Sequence, residues 1–368
     1  MKITFLSPPL NMGGGTKVIS IYADYLTKQG HEVLVVSLPH QHSKSKKIRD
    51  MFSFNSNLPS TQISYFDGSH IKQHVLDTNR PIVSADLPDA DVVIATWWET
   101  AEWLNKVEDK KGKKVYFIQG YEVWDPIPKE RSSATYHFDM HKIVVSKWLQ
   151  NVLAKNHGLT NTDLVPNGVD KSFFIATDRA KQKTPTIGFL INNATVKGLD
   201  IAVKVVNELK KYYPNLRVLT FGSHKLNPLM TSLFPVDIPV WLNPTPNSIR
   251  EIYLQCDVWL ATGRSEGFNL TAIEAMACGT PVVSTKTGWP CHSINNYING
   301  VLADIDDVYG LVEGAKWLLE LSDSAWQTVS KHAELTTQGV DWEVSGAMFE
   351  AALKKQLSTL ASTNKVIN

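Results

Sequence analysis

The chain has 368 residues, of which 43% are apolar and 20% charged, a composition typical of a globular protein long enough for two domains. A formal net charge of +1 argues against a general nucleic-acid-binding protein, whose charge would be lopsided. The cysteines Cys256, Cys278 and Cys291 are too few for a disulfide framework and lack metal-site spacing, so a reducing compartment is expected.

Strands and helices alternate along the first part of the chain. The apolar patterns predict strands at Ile3–Ser7, Glu32–Ser37, Asp91–Thr96, Lys114–Gln119 and Ile143–Val145. Helices are predicted at Lys17–Gln29 and Lys147–Asn156. The chain opens on a strand without a signal peptide, and no apolar run approaches the ~18 residues of a membrane span. These features predict a cytoplasmic protein.

A polar stretch between Gln41 and Ser64 interrupts this alternation. It contains the basic run SKSKKIR at Ser43–Arg49. The favoured interpretation is a solvated surface loop. The alternative is docking on an anionic lipid or an acidic acceptor, which leaves a peripheral contact at the inner face of a membrane open.

A second alternating series follows Pro166. Strands are predicted at Thr186–Leu190, Arg217–Phe221, Val258–Thr262 and Pro281–Ser284. Helices are predicted at Asp200–Tyr212 and Ser248–Gln255, and from near Leu270 to Gly279. Two such series predict an α/β protein with two Rossmann-like domains facing across a cleft. The expected domains are residues 1–165 and 166–341, followed by an amphipathic helix over 342–368.

The segment SEGFNLTAIEAMACGTPVVS, Ser265 to Ser284, is the most informative part of the chain. It places seven residues between Glu266, in a loop, and Glu274, in a short helix. Loop, helix and strand in this order put amide donors and a positive dipole end at the mouth of a parallel sheet, where a phosphate binds well. A carboxylate one to two turns into the helix can reach a ribose diol. From spacing alone, an ordinary α/β unit with two solvated carboxylates stays equally open.

The same segment resembles the EX7E signature of retaining nucleotide-sugar glycosyltransferases with the GT-B fold, in particular glycosyltransferase family 4. Four further segments resemble that family in the same order: Gly13–Ser37, Val144–Leu159, Val165–Asp170 and Val196–Asp200. The resemblance implies metal-independent, retaining transfer from a nucleotide-diphosphate sugar to a carbohydrate or lipid-linked saccharide, with no cofactor. It also implies a C-terminal helix that packs back on the first domain, and a role in envelope or polysaccharide assembly.

Within this resemblance, Lys197 corresponds to a phosphate-binding lysine, Glu266 contacts the transferred sugar and Glu274 holds the ribose. The family's usual arginine before the lysine is missing, and we hypothesise that Arg264 substitutes for it; the alternative is that Arg264 pairs with a surface carboxylate. Asn269 either tunes sugar choice or caps the following helix. The other expected donor-side residues are Gly267, Phe268, Leu270, Asn193, Gly222 and Asn243.

The first domain is expected to supply the acceptor side. Gly14 and Gly15 let the backbone approach a ligand, although their spacing does not fit a dinucleotide fingerprint. Many relatives carry a histidine where Gln119 stands, and an amide cannot take a proton, so base assistance falls to the donor phosphate or to Glu122. Aromatic residues Trp97 and Trp98 fit a sugar platform, and buried packing explains at least one of them equally well.

Two weaker patterns are interpreted as structural rather than functional. The acidic string Asp304–Asp306 is favoured as a surface cluster, and His137 and His141 as structural histidines rather than metal ligands. Two rival functions remain: a nucleotide-sugar 2-epimerase, and a non-catalytic carbohydrate-binding protein with the same fold. The sugar, the base and the acceptor are not readable from the sequence.

Overall fold

The computed structural model describes residues 1–40, 63–223 and 238–363, and the basic run Ser43–Arg49 lies outside them. The described chain forms two compact units. Unit 1 comprises the described residues within Met1–Ile118, Arg131–Ile143 and Met348–Asn368. Unit 2 comprises those within Gln119–Glu130 and Val144–Ala347.

Unit 1 is built on a parallel sheet. Its strands are β1 (Lys2–Ser7), β2 (Glu32–Ser37), β3 (Lys72–Val75), β4 (Val92–Ala95), β5 (Lys113–Ile118) and β6 (His141–Val144). They lie side by side in the order β3-β2-β1-β4-β5-β6, and the pairs among β1 to β5 are parallel. Chain order reverses between β1 and β4, so the loops that follow these two strands meet at one edge.

The helices alternate with the strands along the chain. In chain order they are α1 (Gly14–Lys28), α2 (Trp98–Lys106), α3 (Lys129–Thr135), α4 (Lys147–His157), α5 (Leu199–Tyr212), α6 (Pro246–Leu254), α7 (Leu270–Ala277), α8 (Pro290–Ser293), α9 (Val308–Glu320), α10 (Asp323–Thr336) and α11 (Trp342–Thr363). In unit 1, Phe349 of α11 is fully buried, stacks on Tyr22 of α1 at 4.4 Å and meets Phe117 of β5 at 5.0 Å. This aromatic cluster fixes the last helix to the unit 1 core.

Unit 2 contains a second parallel sheet. The short strand β7 (Asp163–Leu164) lies outside this sheet, whose strands are β8 (Thr186–Ile191), β9 (Arg217–Gly222), β10 (Val240–Leu242), β11 (Val258–Ala261), β12 (Val282–Thr285) and β13 (Gly300–Ala303). These six lie in the order β10-β9-β8-β11-β12-β13, with every pair parallel. Strands β11 and β12 are buried along their whole length, as expected for a sheet covered on both faces.

The predicted α/β class with two Rossmann-like sheets is confirmed, and most predicted elements lie within three residues of the observed ones. The strands β3, β7, β10 and β13 and the helices α2, α3, α8, α9 and α10 were not predicted. Strand β3 reads KQHV with all four residues exposed, so it has no apolar pattern and is defined by its pairing with β2. The position of such an edge strand is determined by backbone pairing, which a hydrophobic pattern cannot predict.

Candidate functional site

The most informative segment lies at the point where the second sheet reverses its chain order. The reversal falls between β8 and β11, and residues 192–198 and 262–269 follow these strands. Since the two strands are parallel, both loops emerge at the same carboxyl edge. Ligands of open α/β sheets bind at such a switch point.

Close backbone contacts join these two loops. Gly198 has a φ of +63°, and a Cβ there would lie 2.0 Å from the carbonyl oxygen of Thr262, so the position requires glycine. The Thr262 hydroxyl donates to the Gly198 carbonyl at 2.8 Å, and the Arg264 N–H donates to the Val196 carbonyl at 2.7 Å. The turn Thr195–Lys197 is therefore held directly against the loop that leads to Glu266.

This contact brings the predicted phosphate lysine and the predicted sugar-contacting carboxylate together. The Lys197 Nζ lies 2.7 Å from Glu266 Oε2. The Lys197 side chain is 32% exposed and that of Glu266 is 12% exposed. A cation and an anion are thus placed side by side at the edge of the sheet, and Glu266 is not the solvated carboxylate of the alternative interpretation.

Arg264 is engaged with two carboxylates. Its Nη1 and Nη2 donate to the two Asp200 oxygens at 2.8 and 2.7 Å, and its Nε donates to Asp306 at 2.6 Å. Nη1 also donates to the Thr195 carbonyl at 2.8 Å. The hydrogen bonds from Arg264 lower the pKa of Asp200, and those to Asp200 in turn raise the pKa of Arg264. The pairing of Arg264 with carboxylates is the alternative that the sequence analysis kept open.

The acidic string beside this network lies on the surface. Asp304 is 74% exposed and pairs with Lys286 at 2.6 Å, and Asp306 is 52% exposed and pairs with Arg264. Asp306 also adopts a left-handed backbone conformation, with φ +63°. The interpretation of Asp304–Asp306 as a surface acidic cluster agrees with this placement.

Gly267 is enclosed by two other segments of unit 2. A Cβ on Gly267 would lie 1.8 Å from the Gln119 carbonyl oxygen and 3.0 Å from the Gly120 Cα. The Ser146 hydroxyl, which also caps α4, donates to the Gly267 carbonyl at 2.6 Å. Close backbone approach explains why glycine stands at this position, and it places Gln119 beside the Glu266 loop.

Helix α7 begins and ends as predicted. Asn269 has a φ of +74°, a conformation that asparagine tolerates better than most residues. Its side-chain oxygen accepts from the Ala272 N–H at 3.3 Å and from the Thr271 hydroxyl at 3.0 Å, which confirms the cap. The helix stops at Ala277, and Gly279 follows with φ +70°. The effect of Asn269 on sugar choice stays a prediction.

Glu274 is buried within α7 and has a tyrosine donor. It is 5% exposed, and the Tyr253 hydroxyl donates to its Oε2 at 3.1 Å. Tyr253 is fully buried, with its ring 4.7 Å from that of Trp259 and 6.0 Å from that of Phe221. Burial and the neighbouring Glu274 charge raise the pKa of Tyr253, so its hydroxyl remains a donor at every physiological pH. Glu274 is therefore not a solvated surface carboxylate.

Three further donor-side positions lie at the same carboxyl edge. Asn193 follows β8, and Gly222 ends β9. The Asn243 N–H, after β10, donates to the Gly222 carbonyl at 2.9 Å. A Cβ on Gly222 would lie 2.4 Å from the carbonyl oxygen of Ile191, so the backbones of β8 and β9 converge here. Phe268 and Leu270 complete the set, since they flank Asn269 at the start of α7.

The expected acceptor-side residues of unit 1 follow its own switch point. Gly14 and Gly15 are the exposed first residues of α1, and Trp97 precedes α2. Trp98 is only 5% exposed, with the Arg131 guanidinium 4.9 Å from its ring centroid. Trp98 is thus the packed member that the sequence analysis anticipated. The proposed base Glu122 belongs to unit 2 and is 3% exposed.

Metal-ligand clusters and membrane-spanning helices are both absent from the part of the chain that the structure describes. Within residues 1–40, 63–223 and 238–363, no three His, Cys, Asp or Glu side chains are grouped as metal ligands, His137 and His141 included. In the same ranges, no helix is both long and apolar enough to cross a bilayer.

Sequence reasoning missed three groups of contacts that shape this site. Tyr253, Ser146 and Asp200 were not singled out, although Ser146 and Asp200 lie inside quoted motifs, and Asp306 was noted as a surface acid without its contact with Arg264. A polar residue directly before a predicted helix is a signal for Ser146. Tyr253 has no such signal, because its partner Glu274 lies 21 residues away on another helix.

Known proteins are similar to part of this chain in sequence and to nearly all of it in structure. Residues 170–334 match the family described as Glycosyl transferases group 1. The D-inositol 3-phosphate glycosyltransferase of Segniliparus rotundus is 30% identical over 159 residues, which are 39% of this chain and 35% of that protein. The chain spans between about a third and a half of the length of such curated relatives.

Solved structures cover nearly all of the chain at low identity. The sucrose-phosphate synthase of Thermosynechococcus elongatus has a TM-score of 0.75 and 15% identity, over 98% of this chain and 100% of that one. Anabaena HepE, solved with UDP and glucose, has a TM-score of 0.69 and 17% identity, over 98% and 100%. These likenesses confirm the predicted GT-B fold class, and together with the sequence matches they support a transferase enzyme.

Proposed function

We propose that this protein is a glycosyltransferase that moves a sugar from a nucleotide-diphosphate sugar to a hydroxyl of a glycan or lipid-linked acceptor, with retention of configuration and without a metal. The observation that carries the proposal is the Lys197–Glu266 ion pair at the switch point of the second sheet, followed directly by the helix that contains the buried Glu274. The group 1 family match covers all three residues.

The diphosphate leaving group sets the first requirement. As the bond from the anomeric carbon to the diphosphate oxygen breaks, negative charge grows on the diphosphate, and fixed donors must stabilise it. Lys197 supplies a cation, and the first turn of α7 supplies backbone N–H groups and a positive dipole end. In this role the Lys197 ammonium exchanges its partner Glu266 for the diphosphate. Glu266 then accepts hydrogen bonds from sugar hydroxyls.

The acceptor hydroxyl sets the second requirement. Its oxygen bonds to the anomeric carbon on the face from which the diphosphate leaves, which preserves the configuration. Its proton passes to a diphosphate oxygen, which the reaction itself brings close, since Gln119 beside Gly267 cannot accept it and the alternative base Glu122 is 3% exposed. Glu274 accepts hydrogen bonds from the ribose hydroxyls, and Tyr253 fixes the carboxylate orientation for that contact.

Calorimetric titration with a panel of nucleoside diphosphates and their sugars, in EDTA, tests this function. One nucleotide should bind the wild type, and Glu274→Ala should weaken that binding at least ~10-fold, about 1.4 kcal/mol. The matched control is Glu313→Ala, which removes a half-exposed carboxylate from another helix of unit 2 and should change nothing. Absence of binding across the panel would favour a non-catalytic carbohydrate-binding protein. Binding that needs added Mg²⁺ would contradict metal independence.

Tyr253→Phe should reduce the preference for ribose over deoxyribose. The change keeps the buried ring and removes only the hydroxyl that donates to Glu274. We expect the nucleoside diphosphate to bind ~5-fold more weakly and its 2′-deoxy analogue to change by less than ~2-fold. Titration of both ligands gives the ratio. Tyr297→Phe, at a tyrosine that is 61% exposed, is the control. If the ratio of the two affinities is unchanged in Tyr253→Phe, Tyr253 has no role in ribose binding.

A further inference from the structure

We propose that Arg264 is a positioning residue that holds the Thr195–Lys197 turn, so that the Lys197 ammonium is aligned for the donor diphosphate. The inference rests on the proposed function and assigns Arg264 a role other than phosphate binding. Its basis is the set of side-chain hydrogen bonds that link three separate segments around Lys197.

The contacts of Arg264 surround the turn from two sides. Its side chain donates to the Thr195 carbonyl within the turn and to both oxygens of Asp200 in the first turn of α5. Its Nε donates to Asp306, which follows β13. Its own backbone N–H donates to the Val196 carbonyl at 2.7 Å. The turn that carries Lys197 is therefore fixed by Arg264 through both side chain and backbone.

The same contacts argue against direct phosphate binding by Arg264. Four of the five N–H groups of its guanidinium are in use, and two carboxylates already balance its charge. A diphosphate would have to displace the two-pronged contact with Asp200, among the strongest types of protein hydrogen bonding. Lys197 has Glu266 as its ion-pair partner, and its side chain is about a third exposed. Its ammonium can therefore turn to a diphosphate more easily than the Arg264 guanidinium can. The geometry therefore assigns diphosphate binding to Lys197, and to Arg264 the role of holding the Thr195–Lys197 turn in place.

A double-mutant cycle separates these roles. Binding of the nucleoside diphosphate selected by the panel is measured for wild type, Arg264→Met, Lys197→Met and the double variant. We expect ~10-fold weaker binding for Arg264→Met and ~100-fold for Lys197→Met, with the double variant within ~2-fold of Lys197→Met. A residue that acts only through Lys197 has no further effect once Lys197 is gone. Losses that multiply would show that Arg264 contacts the ligand or acts on general stability, and would overturn the inference.

Two more variants complete the design. Arg264→Lys keeps the charge but cannot make the two-pronged contact with Asp200, so it should behave like Arg264→Met; wild-type affinity would overturn the inference. Lys286→Met removes the neighbouring Asp304 pair and should bind normally. If Arg264→Met unfolds, Asp306→Ala takes its place in the cycle, because it removes the acceptor of the Arg264 Nε–H and keeps the arginine. A wild type that binds no nucleotide would refute the proposed function itself, which is a different result from a multiplicative cycle.

Discussion

Lys197→Met is expected to lower the rate of sugar transfer by about 10²- to 10³-fold, because it removes a fixed positive charge from the growing charge on the leaving diphosphate. Lys197 projects from a turn that backbone contacts hold in place, so the side chain can be lost without rearranging the loop. Methionine keeps much of the side-chain volume. Initial rates at varied donor concentration give kcat and KM, and the larger loss should fall on kcat, since the interaction strengthens as the bond breaks.

Lys286→Met is the matched control for this prediction. Lys286 directly follows β12 at the same carboxyl edge, and it also forms an ion pair, with Asp304 at 2.6 Å. Its side chain is 49% exposed and its partner 74%, so the pair is a solvated one of small energetic value. We expect kcat and KM to change by less than ~2-fold. Equal losses in the two variants would mean that general surface charge, rather than the position of Lys197, supports the reaction.

Local signals explain why helix α7 could be predicted closely from the sequence. Asn269 caps the helix, Gly279 takes the left-handed conformation after it, and Pro281 prevents its continuation. Each signal acts within a few residues, so a single sequence contains it. The two buried strands on either side also have local signals, since β11 is a continuous apolar run and β12 is rich in β-branched residues.

The contacts that make the site depend on residues far apart in the chain. Lys197 and Glu266 are 69 residues apart, and the partners of Arg264 lie 64 and 42 residues away. Resemblance to a family indicated that Lys197 and Glu266 act together, but no local pattern identified the carboxylates around Arg264. Two interpretations of that arginine therefore stayed open until the fold placed Asp200 and Asp306 beside it. Which residue a side chain meets across a sheet edge is a property of tertiary structure.

Gly267→Ala is expected to impair the site through a purely steric effect. The added Cβ would lie 1.8 Å from the Gln119 carbonyl oxygen, far inside van der Waals contact, and the obstacle is backbone rather than a flexible side chain. One of the two segments must shift by more than ~1 Å, and a misplacement of that size costs ~100-fold in rate. Loss of packing between the segments should also lower the free energy of unfolding by ~1–3 kcal/mol, measured by urea denaturation.

Gly120→Ala isolates the steric part of this effect. Gly120 neighbours the same contact, yet a Cβ there would meet no atom within 4 Å. Its replacement should leave the rate within ~2-fold and the unfolding free energy within ~1 kcal/mol of wild type. If Gly267→Ala behaves like Gly120→Ala, the Gln119 segment moves aside without loss of activity, and its contact does not determine the conformation of the Glu266 loop. If only Gly267→Ala loses activity, the position of Glu266 depends on close approach between Gly267 and Gln119, which requires a residue without a side chain.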